Sequence, residues 1–113
     1  MKELRKQIAV ALIRLINGKF GNLLQAVRHN DSETIMVFGR LIESPEIYVK
    51  GNFAKFISKD NHLMVVVLMN DEVITIIRNL NDLGWQLTYE TPLIDVNVNS
   101  LYDELRKAIG YNY

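Results

Sequence analysis

The sequence contains no cysteine, and only two prolines and six glycines in 113 residues. Without cysteine there is no disulfide framework, no thiol nucleophile and no thiolate ligand for a metal, and the composition suits a reducing compartment. An excess of charge is also lacking. Thirteen basic and thirteen acidic residues cancel, so no overall field draws the chain to nucleic acid or to an anionic membrane. No apolar run reaches membrane-spanning length. The stretch from Ile8 to Ile16 comes nearest, but Arg14 interrupts it and no small-residue cleavage site follows. Neither a span nor a signal peptide is therefore expected, and a cytoplasmic location is. Repeats, low-complexity segments and linkers are missing too, which leaves one domain over residues 1–113.

What is present is apolar material in regular patterns. Hydrophobic residues make up 49% of the chain, enough for a core without staples. Residues 3–16 are strong helix formers with Leu4, Ile8, Leu12 and Leu15 on one stripe, and Asn17-Gly18 marks a stop. Phe20, Leu23, Leu24 and Val27 predict a short second helix over 20–29, so that residues 1–30 form a helical segment packed on a sheet spanning 34–98. From Thr34 the period falls to two: Ile35, Val37 and Leu41 alternate with Met36, Phe38 and Arg40. Turn clusters at Glu43-Ser44-Pro45, Lys50-Gly51-Asn52 and Lys59-Asp60-Asn61 divide residues 34–69 into a four-strand meander. Gly39, inside the first of these strands, suggests a bulge.

The best punctuated stretch is 62–90. Leu63 to Met69 is a continuous valine-rich run that suits a central strand buried on both faces. Asn70 or Asp71 can then accept hydrogen bonds from the amides of the following turn, and Val73, Ile76, Ile77, Leu80 and Leu83 recur at helical spacing. Gly84 supplies a left-handed position, after which Trp85, Leu87 and Tyr89 alternate with Gln86, Thr88 and Glu90 as a strand. A further short strand is expected over Leu93 to Val98. A last helix over 99–109, capped by Asn99 or Ser100, carries Leu101, Leu105 and Ile109. The expected class is α+β: a mostly antiparallel sheet, a four-strand meander plus one or two further strands, flanked by N-terminal, central and C-terminal helices.

Residues capable of chemistry are scattered. His29 and His62 are the only histidines, and neither belongs to a ligand-type pair at i+3 or i+4 within a helix, so no metal site is expected. His29, Asp31 and Ser32 come nearest to a nucleophilic triad, but such a cluster between two elements reads first as a loop. The acidic pairs Asp71-Glu72 and Asp103-Glu104 fit the first turns of helices. The glycines form no phosphate-cradling motif, and neither a catalytic residue nor a cofactor is assigned.

Residues 39–56 combine a strand exit, an acidic turn with proline, and basic residues interleaved with aromatics. The spacing of Gly39-Arg40-Leu41, Pro45-Glu46-Ile47, Gly51 and Ala54-Lys55-Phe56 resembles the early strands of bacterial single-stranded-DNA-binding proteins, over under a fifth of the chain. That resemblance implies an oligonucleotide-binding barrel in which Arg40, Lys50 and Lys55 track phosphates and Tyr48, Phe53 and Trp85 stack on bases. The first reading of the residues is different. The surplus of apolar surface points to a small non-catalytic interaction protein, of adaptor or inhibitor type, that binds another protein or itself as a homodimer. Its expected interface is the stripe Leu4, Ile8, Leu12 and Leu15. Single-stranded nucleic-acid binding is the alternative.

Overall fold

The computed structural model describes residues 1–20, 23–39, 63–80 and 83–110. Within them the chain runs α1 (Lys2–Lys19), β1 (Leu24–His29), β2 (Glu33–Gly39), β3 (Leu63–Asn70), β4 (Val73–Asn79), β5 (Trp85–Pro92), a 3-10 turn (Leu93–Asp95) and α2 (Val98–Gly110). The five strands form one antiparallel sheet in the order β1-β2-β3-β4-β5, with β3 at its centre. This is the expected α+β class, and the valine-rich run is the central strand.

Both helices lie on one face of the sheet. Ile8, Ala9, Leu12 and Ile16 of α1 and Leu101, Leu105, Ala108 and Ile109 of α2 share a core with Met36, Phe38, Val65, Val67, Met69, Ile74 and Ile76. The period of two in β2 therefore separates two apolar sets. Met36 and Phe38 face the helices, while Ile35 and Val37 join Ala26 and Val66 in a smaller buried cluster on the opposite face, packed by Leu68, Ile77 and Trp85. Gly39 stands at a register shift: Phe38 pairs with Val65 but Gly39 with Leu63.

Three expected elements take another form. The central helix expected from Val73 is β4. Val73 to Ile77 are five β-branched residues in succession, which lose little rotamer freedom on a pleated surface and more in a helix, and the strand alternates Ile74 and Ile76 inward. The short helix expected over 20–29 is β1, paired with β2 from Leu24↔Gly39 to His29↔Thr34. Its six residues gain a full ladder from that neighbour, whereas an isolated helix so short is unstable. The strand expected at Leu93 to Val98 is the 3-10 turn followed by the start of α2. It is held by Leu93 N–H donating to Glu72 O at 2.9 Å, with Leu93 fully buried.

Caps and turns follow the local chemistry closely. Asn97, two residues ahead of the expected cap, accepts from Ser100 N–H at 3.1 Å at the start of α2. Gly84 has φ +82°, a left-handed conformation that serves the β4–β5 hairpin rather than a helix end. In that hairpin Ile76 faces Tyr89 but Ile77 faces Leu87, so Thr88 is an extra residue. Its Oγ1 donates to Ile76 O at 3.1 Å. The bulge reverses the alternation of β5: Tyr89 packs on the helix side, whereas Trp85 packs on the opposite cluster.

Candidate functional site

Two hairpin turns and the first turn of α1 meet at one end of the sheet. Each turn is built on an asparagine. Asn30 Oδ1 accepts from Ser32 N–H at 2.9 Å and Glu33 N–H at 2.8 Å, and Asn70 Oδ1 accepts from Glu72 N–H and Val73 N–H, both at 2.8 Å. The Asn-Asp pairs thus start strand-to-strand turns. Asp71-Glu72, expected at a helix start, lies in the β3–β4 turn.

Arg5 joins these turns. It occupies the inward stripe of α1 one turn before Ile8 and Ala9, with 0% of its surface exposed. Nε donates to Asp71 Oδ1 at 3.0 Å, Nη1 to Asn30 O at 3.2 Å and to Thr34 Oγ1 at 3.1 Å, and Nη2 to Asp31 O at 2.9 Å. A buried guanidinium is tolerable only with such a set, because its donors cannot be left without acceptors and its charge needs a carboxylate. Lys2 to Asp31 at 3.3 Å and Arg28 to Glu33 at 2.7 Å surround it.

The residues closest to a sequence-level triad are not assembled as one. Ser32 Oγ donates to Asn30 Oδ1 at 3.1 Å, Asp31 pairs with Lys2, and His29 Nδ1 lies 3.0 Å from Thr34 Oγ1. Thr34 is the hydroxyl that meets the imidazole, yet it is fully buried and already accepts from Arg5, so no substrate carbonyl can reach it. Burial, reinforced by Lys6, Arg5 and Lys2, holds the His29 imidazole below its usual titration range, against a smaller opposing effect of Glu3. Among the described residues no group of three or more His, Cys, Asp or Glu could hold a metal ion. What this cluster does is fix α1 to both turns. Sequence reading missed Arg5 and Thr34; the available signal was a charged residue on the inward stripe of α1.

Of the stripe expected to face a partner, Ile8 and Leu12 are buried in the helix–sheet core, Leu4 packs against that core and Leu15 is half-buried. Of the residues assigned through the resemblance, Arg40, Tyr48, Lys50, Phe53 and Lys55 lie outside the described residues. Trp85 packs against the cluster of Ala26, Ile35, Val37 and Val66. The described strands form a sheet in the order β1-β2-β3-β4-β5, and nearly all the residues that carry the resemblance lie outside them.

Large exposed apolar side chains stand along and on either side of β5, with Met1 and Val10 at α1 also exposed. Leu83, in the turn before β5, is 84% exposed, Leu87 within it 56% and Ile94, just after it, 74%. β5 is an edge strand of eight residues, and among the described residues no strand pairs with its outer side. Between the C-terminal ends of the two helices lies an open cleft of about 420 Å³, lined by Lys19, Phe20, Arg106, Lys107 and Gly110. Its cations stand where helix dipoles favour them. No helix among the described residues is long and apolar enough to cross a membrane. The class defined so far is an α+β domain whose five-stranded antiparallel sheet is covered on one face by two helices. Comparison with known protein families, with curated proteins and with solved structures finds no match in any of the three.

Proposed function

We propose that this chain is a small non-catalytic interaction protein that receives an extended polypeptide segment along the outer edge of β5. The observation that carries this reading is the placement of Leu83, Leu87 and Ile94 on and beside an edge strand. A strand edge offers amide and carbonyl groups for backbone hydrogen bonds to an added strand, and exposed apolar side chains supply the contacts that select it. The inward stripe of α1, by contrast, is largely committed to the sheet. Thr88, Glu90 and Pro92 limit pairing at the C-terminal half of β5, since a bulge, a charge and a missing amide each oppose indiscriminate strand addition.

The test uses a photo-crosslinking residue at position 87 of the full chain, with one at Gln7 on the exposed side of α1 as control. Mass is measured by light scattering over a range of concentration. Crosslinks to a polypeptide from position 87 and not from position 7, reduced by Ile94→Lys, are the expected result. A crosslinked second copy with a concentration-dependent mass identifies self-association. Equal trapping from both positions, or none from position 87, overturns the assignment.

A further inference from the structure

We infer that His29, Thr34 and Arg5 form an acid-sensitive latch, in which protonation of His29 loosens the hold of the two hairpin turns on the first turn of α1. This latch is independent of the β5 edge and is carried by hydrogen-bond direction. A guanidinium only donates, so Thr34 Oγ1 accepts from Arg5 Nη1 at 3.1 Å. The single hydroxyl proton is then free to point at His29 Nδ1, 3.0 Å away, which accepts it only in the neutral ring with the proton on Nε2. A protonated ring carries N–H on both nitrogens. Thr34 Oγ1 would then face two cationic donors, and its own proton would lose its partner in a fully buried position.

The surroundings give the second charge little relief. From α1, Lys2, Arg5 and Lys6 act against a charged imidazole and Glu3 acts for it. On β1 the neighbouring cation Arg28 is paired with Glu33, and Asp31 and Asp71 of the turns are engaged as well. Asp31 pairs with Lys2, Glu33 with Arg28 at 2.7 Å and Asp71 with Arg5 at 3.0 Å, while Glu72 lies beyond Asp71 in an exposed turn. Burial and these cations depress the folded-state value of His29 below that of the unfolded chain. The sign follows. Above the ordinary histidine range the ring is neutral in both states and contributes no pH dependence. As pH falls below about 6.5 the unfolded chain takes up the proton first, so stability is lost progressively until the folded value is reached.

The test is made on the full chain in a His62→Asn background, which leaves one imidazole, with and without His29→Asn. Asparagine places an acceptor near the position of Nδ1 and does not titrate. Urea midpoints at about pH 7.5 and about pH 5.5 are compared with the exchange protection of amides 5–9 in α1, and ring nitrogen shifts report tautomer and titration. We expect an Nε2–H tautomer, titration below the ordinary histidine range, and a midpoint that falls on acidification when His29 is present and stays constant in the His29→Asn variant. Protection in α1 should fall before protection in β3. An Nδ1–H tautomer, titration at or above the ordinary range, or equal acid sensitivity in His29→Asn overturns the latch. If that variant does not fold, the ring titration with His29 present decides alone.

Discussion

The turn end of the sheet and its β5 edge differ in what they leave unsatisfied. At the turns, side chains capable of chemistry are consumed by structure: Arg5 by two turns, Ser32 by Asn30, Asp31 by Lys2 and Thr34 by Arg5 and His29. Along β5 the residues are chemically plain, yet Leu83, Leu87 and Ile94 stand in solvent beside a strand edge. The polar cluster that looks most like a site is a fastening. The apolar edge is where the proposed partner would bind.

Arg5→Ala tests this contrast most severely. It removes the donors for two carbonyls and a buried hydroxyl and leaves Asp71 without its cation, so folding stability should fall by about 3 kcal/mol in urea titration. Arg5→Lys should recover only part of this, since an ammonium cannot span acceptors on both turns. A loss below about 1 kcal/mol would show that water replaces the guanidinium and that the turn end is not a fastening. At the other region, Leu87→Lys should weaken polypeptide association at least about tenfold by titration, with stability changed by no more than about 0.5 kcal/mol. Unchanged association would remove β5 from the comparison.

Asn70→Ala comes next. It deprives Glu72 N–H and Val73 N–H of their acceptor in an exposed turn where water can compensate, so a loss of about 1 kcal/mol is expected by the same titration. The effect should be smaller than that of Arg5→Ala. A larger one would mean that the asparagine, not the arginine, organises this end of the sheet.

These expectations bear on what could be read from sequence. The central strand was legible because burial on both faces makes its pattern continuous, and α1 and α2 because each buries one stripe. β4 was misread because Val73, Ile76, Ile77 and Leu80 satisfy helical spacing while their β-branched neighbours favour a strand, and the neighbouring strands decide between the two. Arg5 was illegible for a different reason. Its partners lie 25 to 66 residues away, and no local pattern announces a bond that exists only once two distant turns are brought side by side. The exposure of Leu87 was hidden because strict alternation places it with Trp85 and Tyr89, and only the bulge separates their faces.

That bulge supplies the mildest test. The extra residue in β5 costs a ladder bond, and Thr88 offsets part of this by donating its hydroxyl to Ile76 O at 3.1 Å. Thr88→Val keeps the β-branched shape and removes the donor, so stability should fall by at most about 1 kcal/mol. Hydrogen exchange should show faster opening in β4 and β5, with β2 and β3 unchanged, because the lost bond lies at the edge of the sheet. A strand edge that opens more readily should also bind a polypeptide segment with altered affinity, while the bonds of Arg5 to the turns remain as they are. If exchange instead accelerates across the whole sheet, the β5 edge and the turn end form one cooperative unit, and the division of labour between them fails.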